Sequence, residues 1–140
     1  MNSTLRPRSM RDERITVQQV GEETLLYDER THRAWCLNAS SACVWRLCDG
    51  QTTVAQIAAG AAAELRAPFS EELVLLTLAE LREQGLLQSD PGDALPQGVT
   101  RRAIIGRIGL TAAALLPVIA ALTAPPASAQ GGSVGSGGNG

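Results

Sequence analysis

The sequence has 140 residues, which allows one domain with a modest core plus additional segments. All twelve basic residues are arginine, and from Ile15 to Asp93 twelve acidic residues outnumber five arginines, a net charge of −7. Because an acidic surface repels phosphate backbones, this composition argues against a nucleic-acid-binding protein.

The first third of the chain predicts a disordered tail and then a small antiparallel sheet. Residues 1–14 are polar and arginine-rich, without an apolar period or a secretory signal. Three short β-prone runs follow, separated by polar turns: Ile15–Val20, Thr24–Tyr27 and Arg33–Leu37. In the third run, alternation places Trp35 and Leu37 on one face of the sheet.

Three short helices are predicted after the strands. Their expected limits are Ser40–Cys48, Thr53–Arg66 and a helix that begins at Ser70. Asn38 or Ser40 can cap the first helix, and Thr52 or Thr53 can cap the second. Gly85 is expected to end the third helix. We therefore expect the sheet and the helices to form one domain over residues 15–88.

The C-terminal third has a different composition. Residues 89–100 are typical of a linker, residues 101–129 form a hydrophobic segment, and residues 130–140 are rich in glycine and serine. The uncharged run Ile108–Ala124 would span roughly 26 Å as a helix, slightly less than a bilayer core. We expect a C-terminal hydrophobic helix here.

The hydrophobic segment has two main interpretations, a membrane span and an export signal. A soluble amphipathic or buried helix is a third interpretation. In the first it crosses a membrane. Three arginines precede the apolar run and would then stay on the cytoplasmic side: Arg101, Arg102 and Arg107. The domain would lie at the cytoplasmic face of the inner membrane, with the C-terminus outside. In the second it is a twin-arginine-like export signal with cleavage after Ala129.

The chemistry-bearing residues do not form a recognisable active site. Cys36, Cys43 and Cys48 are odd in number and include no Cys-x-x-Cys pair, which favours buried thiols in a reducing compartment. We expect no metal site, even with His32 nearby, and no cofactor. Asp49 is interpreted as a turn residue, because no local spacing brings a second carboxylate or a histidine beside it.

Four segments, in their order and spacing, resemble the PqqD-like family of peptide chaperones, also called RiPP recognition elements. The segments are Leu25–Asp28, Trp35–Asn38, Val44–Gly50 and Leu78–Leu87. The resemblance implies an α+β, winged-helix-like fold with a three-stranded antiparallel sheet on three helices. It also implies a non-catalytic adaptor, which binds the leader of a ribosomally made precursor peptide. The adaptor would present that leader to a separate modifying enzyme, such as a radical SAM enzyme or a peptidase.

The resemblance also implies where the peptide binds. In that family the leader adds a strand to the exposed sheet edge and lies against the third helix, and an edge strand does offer unpaired backbone groups. The implied peptide-binding residues are Arg33, Ala34, Trp35, Cys36, Leu37, Leu73, Leu76, Thr77 and Glu80. Alternatively, Leu73 and Leu76 complete the core. Trp35 or Trp45 could anchor a partner, and we favour a core position for Trp45.

These observations lead to one main hypothesis and two alternatives. The main hypothesis is a peptide-binding adaptor tethered to a bacterial membrane. In the first alternative the chain is itself a precursor, with a recognition domain fused to a tail, residues 130–140, that is modified or exported. The second alternative is a winged-helix transcription factor, which the acidic balance disfavours because such proteins show a basic stripe.

Overall fold

The computed structural model describes residues 6–10, 13–88, 101–108 and 114–123. Within these ranges the chain forms eight elements. They are β1 (Ile15–Val20), β2 (Glu23–Asp28), β3 (Arg33–Leu37), α1 (Ala39–Leu47), α2 (Val54–Leu65), α3 (Glu71–Glu83), α4 (Arg101–Ile108) and β4 (Ile119–Thr123). The expected α+β class is confirmed, and the boundaries of β1, β3, α1 and α2 lie within two residues of those predicted.

The strands form one antiparallel sheet in the order β1-β2-β3-β4. Gly21, with φ of +63°, allows the tight turn between β1 and β2. In the register, Leu26 lies opposite Trp35, and Trp35 lies opposite Ala121. Leu26 and Trp35 are buried. Ala121 therefore belongs to the face of the sheet that covers the core.

Side-chain caps fix where the helices begin. Asn38 accepts the Ser41 N–H at 3.1 Å and caps α1. Thr53 and Gln56 form a reciprocal capping box at the start of α2, at 3.3 and 3.0 Å. Ser70 accepts the N–H of the third residue of α3 at 3.2 Å. Of the candidates in the sequence, the structure therefore selects Asn38 and Thr53.

The core lies between the sheet and the first three helices. Trp45 on α1 is 2% exposed, and its indole N–H donates to the Leu86 carbonyl at 3.2 Å. The preferred core position of Trp45 is thus confirmed. Trp35 is also buried, and its indole N–H donates to Gln84 Oε1 at 3.2 Å. This bond holds β3 against the end of α3.

Part of the stretch that we expected to be a disordered tail is hydrogen-bonded to the domain. Ser9 N–H donates to the Cys48 carbonyl at 2.9 Å, and Met10 N–H donates to the Leu86 carbonyl at 2.8 Å. These carbonyls follow the ends of α1 and α3, where backbone acceptors have no partner within the helix. The tail was predicted from the absence of an apolar period, but backbone hydrogen bonds do not require one. Residues 1–5 and 11–12 lie outside the described residues.

The prediction of a three-stranded sheet with a C-terminal hydrophobic helix is wrong in the C-terminal segment. The segment contains the eight-residue α4 and a fourth strand, β4. Pro117 cannot continue a helix, and the residue before a proline favours an extended backbone. The open edge of β3 supplies partners for the extended chain that follows. The structure shows no helix, among the residues it describes, that is long and apolar enough to cross a bilayer.

Candidate functional site

The outer edge of β3 is paired with β4 over five register positions, from Arg33 opposite Thr123 to Leu37 opposite Ile119. Just beyond the strand, Asn38 N–H donates to the Val118 carbonyl at 3.1 Å. In an antiparallel pair of strands, the backbone N–H and C=O groups of every second residue point at the neighbouring strand, and those of the residues between them point away. Ala120 and Leu122 are therefore the β4 residues whose N–H groups point at β3, whereas the Ala121 N–H points away from it. This edge is where the family resemblance placed the peptide strand.

A polar pair at the end of β3 holds the backbone that leads into β4. Asn38 Nδ2 donates to the Leu116 carbonyl at 2.9 Å, and Asn38 Oδ1 accepts the Val118 N–H at 3.1 Å. Ser41 Oγ donates to the Val118 carbonyl at 3.1 Å. We call Asn38 and Ser41 the backbone clamp. The sequence analysis identified Asn38 only as a helix cap and as part of the family likeness.

The helix α4 lies against one flank of α3 through two ion pairs. Arg101 pairs with Glu80 at 3.0 Å and also donates to the Pro117 carbonyl, while Arg107 pairs with Glu72. Ile104 is 1% exposed and belongs to the buried core cluster. Arg101 therefore connects α3 with the chain that leads into β4.

A cavity of about 440 Å³ lies between α3, α4 and β4. Its lining residues are Leu76, Ala79, Glu80, Glu83, Gln84, Arg101 and Ile119. Burial raises the pKa of the Glu80 carboxyl, and the neighbouring Arg101 offsets only part of this rise. A partly buried carboxylate destabilises the protein unless a cation is paired with it. The Glu80 side of the cavity therefore favours a bound segment that carries a cation, as Arg101 does.

The structure brings together some of the residues that the resemblance assigned to the site. The strand Arg33–Leu37 forms the paired edge, and Leu76 and Glu80 line the cavity. Leu73, Leu76 and Thr77 are all buried, and both leucines belong to the core cluster, as the alternative interpretation expected. The Thr77 hydroxyl donates to the Leu73 carbonyl at 2.7 Å, and neither Leu73 nor Thr77 lines the cavity. A direct role of Leu73 and Thr77 in peptide binding remains a prediction.

The three arginines expected to mark a membrane or export segment have other surroundings. Arg101 and Arg107 are ion-paired to α3, and Arg102 is exposed. The expected cleavage site after Ala129 and residues 130–140 lie outside the described residues.

The cysteines are not arranged for metal binding or for nucleophilic chemistry. Cys43 on α1 and Cys48 just after α1 are buried. Cys36 alternates with the core-facing residues of β3 and donates to Glu23 at 3.5 Å. Burial raises the pKa of the Cys43 thiol to about 11, which keeps it protonated at neutral pH. Among the described residues, no group of three His, Cys, Asp or Glu side chains is placed to hold a metal ion.

Replacing Asn38 with aspartate is expected to loosen the backbone clamp while keeping the α1 cap. The aspartate still accepts from Ser41, but it loses the donor to the Leu116 carbonyl and faces that carbonyl with negative charge. We expect docking of the C-terminal segment to weaken by about 1–2 kcal/mol. Hydrogen exchange at Ala120 and Leu122 measures the change, with helical circular dichroism as the control. Unchanged exchange would contradict the assigned role of the clamp.

Comparison with known proteins is consistent with this architecture. The family model of coenzyme PQQ synthesis protein D (PqqD) matches residues 23–87, from the start of β2 to the turn after α3. The matched region includes the β3 edge and the backbone clamp, and it ends before α4 and β4. No curated protein and no solved structure matches the chain. Residues 23–87 are thus similar to the PqqD family, and the sheet edge of this region is occupied by a segment from outside it.

Proposed function

We propose that this protein is a RiPP recognition element that binds an extended peptide segment in the groove between the β3 edge and α3, the β3–α3 groove. It presents the bound peptide to a separate modifying enzyme and performs no chemistry itself. The observation that carries the proposal is the pairing of this edge with β4 over five register positions. The PqqD match, which includes β3 and α3, supports it.

The physics of the groove suits peptide capture. Main-chain pairing with β3 gives affinity that depends little on sequence, and alternate side chains of the added strand contact the groove. In β4 these inward positions include Ile119, which lines the cavity beside Leu76. Trp35 contributes to a firm edge, since it is bonded to Gln84 and stacked under the Arg33 guanidinium, 5.0 Å from the ring centroid.

Titration with candidate leader peptides tests the proposal. Because β4 lies on the β3 edge, the full chain should be compared with its Ala120→Pro variant, in which this strand is weakened. We expect a cognate leader to bind more tightly than about 100 µM, or about −5.5 kcal/mol, and to shift the Ala34 and Cys36 amides. Amides of β1, on the opposite edge, are the internal control. The proposal fails if no leader from a neighbouring reading frame binds either form.

A second candidate function is favoured by the origin of β4. The strand on the β3 edge belongs to the same chain, which continues beyond it to the Gly/Ser-rich residues 130–140. In this candidate the protein is its own substrate, and the PqqD-like domain recognises its own C-terminal segment for a separate enzyme. Mass spectrometry of the natural C-terminus separates the two functions. An intact, unmodified stretch Gln130–Gly140 would rule out the self-substrate function.

A further inference from the structure

We propose that the β3–α3 groove recognises a two-part peptide, a basic Arg-x-x-Ile-x-x-Arg helix followed by an extended apolar strand. The occupant is the chain's own C-terminal segment, through its residues 101–108 and 114–123, bound within the same molecule. The inference rests on the proposed function and deepens it, because it names the class of peptide that the groove accepts. The inference is based on two contacts that the segment makes at the same time: α4 with α3, and β4 with β3.

The helical part is recognised by charge and spacing. Glu72, Leu76 and Glu80 follow one another at intervals of four, so they share one face of α3. On α4, Arg101 pairs with Glu80 and Arg107 pairs with Glu72, so the two helices run in opposite directions.

Burial adds to the charge pattern of the helix. Ile104 lies midway between the two arginines of α4 and is 1% exposed. Ion pairs as exposed as these two are individually weak. The combination of two charges at a fixed spacing with a buried isoleucine between them is what makes the contact selective.

The strand part is recognised mainly through its backbone. The clamp of Asn38 and Ser41 binds main-chain atoms of Leu116 and Val118, so this contact does not depend on their side chains. Ile119 adds a side-chain contact at the cavity. An extended segment with an apolar residue at this register satisfies both requirements.

One side chain joins the two parts. Arg101 contacts Glu80 on α3 and the carbonyl of Pro117, two residues before β4 begins. Placement of the helix therefore helps to place the strand. The arginine-rich stretch that resembles an export signal is used here as a docking sequence.

Charge reversal in the full chain tests the helical part. We expect the double variant R101E/R107E to increase hydrogen exchange at Ala120 and Leu122 by roughly tenfold, since two attractive pairs become repulsive. The matched control is R102E, because Arg102 lies on the same helix and is exposed. It should exchange like the wild type. Adding E72R/E80R to R101E/R107E should restore protection, which a merely unfolded variant would not show.

A peptide in trans tests the same recognition with the groove vacated. A labelled synthetic peptide of residues 101–123 is titrated into the full chain that carries R101E/R107E together with Ala120→Pro, which weakens the chain's own α4 and β4 contacts. We expect a peptide with both Arg101 and Arg107 changed to glutamate to bind about tenfold more weakly, and a peptide with only Arg102 changed to bind as well as the wild type. Equal binding by all three peptides would overturn the two-part recognition.

The outcomes distinguish this inference from the proposed function. If Ala120 and Leu122 are protected in the wild type but R101E/R107E changes nothing, the helical part is wrong and strand addition stands. If they are unprotected in the wild type, the inference is overturned, while leader titration still tests the proposed function. Exchange independent of protein concentration in a monomer supports an occupant from the same molecule. A dimer with the same protection overturns that assignment and places the occupant on a second copy.

Discussion

Replacing Ala120 with proline is expected to release β4 from the sheet, whereas proline at Ala121 is expected to leave it paired. The hydrogen bond from Asn38 N–H to the Val118 carbonyl sets the phase of the ladder, so the Ala120 N–H points at β3 and the Ala121 N–H points away. Proline removes its own N–H, and sheets tolerate it where that N–H would face solvent. Both alanines are exposed, so neither change creates a core cavity.

We expect the Ala120→Pro change to cost about 1–3 kcal/mol, because a ladder bond is lost and its carbonyl acceptor on β3 is left unpaired. Two measurements check this. Exchange of the Ala34 and Cys36 amides should accelerate by roughly tenfold or more. The apparent affinity for an added strand-forming peptide should rise by the same factor, because the vacated edge becomes the populated state.

The contrast between the two proline variants is the decisive result. Equal effects of Ala120→Pro and Ala121→Pro would mean that the substitutions act through steric strain rather than through the ladder. Unchanged exchange of the β3 amides in both variants would mean that β4 does not cover this edge in solution. Peptide affinity that stays constant while β3 exchange rises would contradict the proposal that peptides bind there.

Replacing Trp45 with alanine is expected to destabilise the domain more than any other single change that we consider. The side chain is 2% exposed, and its indole N–H is bonded to the Leu86 carbonyl at 3.2 Å. Truncation leaves a large cavity and removes one of the two hydrogen bonds to the Leu86 carbonyl, which keeps the Met10 N–H, at a cost of about 3–5 kcal/mol in the free energy of unfolding. Since small domains are stable by about 5–15 kcal/mol, this loss is roughly a fifth or more of the total stability.

Urea unfolding followed by far-UV circular dichroism measures the loss. Trp45→Phe should fall between the wild type and Trp45→Ala, because it loses the indole hydrogen bond but keeps much of the apolar volume. A matched control is Leu122→Ala on β4, where the side chain is 48% exposed, and it should change stability by less than about 0.5 kcal/mol. A Trp45→Ala loss below about 1 kcal/mol would contradict the packing described.

The elements from β1 to α3 could be predicted because their signals are local. The runs Ile15–Val20 and Arg33–Leu37 are short and bounded by turns, and Thr53 precedes a helical apolar period. Capping residues lie within a few positions of the groups that they satisfy. The residues that determine such an element are therefore its neighbours in the sequence, so a local pattern is enough to predict it.

The strand β4 could not be predicted in this way. Ile119–Thr123 contains two alanines and a leucine, which favour helices in isolation, and its β conformation depends on β3, more than 80 residues earlier in the sequence. Pro117 was the available local signal against one continuous helix.

The β3–α3 groove was predicted from the family resemblance and not from a residue pattern. The prediction therefore missed the contacts that the family resemblance does not cover. The edge Arg33–Leu37 followed from the family likeness. The clamp role of Asn38 and the pairing of Arg101 with Glu80 did not, because both involve the C-terminal segment that the likeness does not cover. Sequence separations of 78 and 21 residues leave no spacing rule to detect them.

The direction of β4 decides at which end of the sheet the described part of the C-terminal segment ends. Thr123 lies opposite Arg33, so the strand ends beside the turn that joins β2 and β3, and it begins at the opposite end, near Asn38. The strand β4 therefore ends at the β2–β3 turn, where Tyr27 and His32 are hydrogen-bonded to each other at 2.9 Å. Under the proposed function, we expect the footprint of the modifying enzyme to include this turn, and footprinting of the complex would check that.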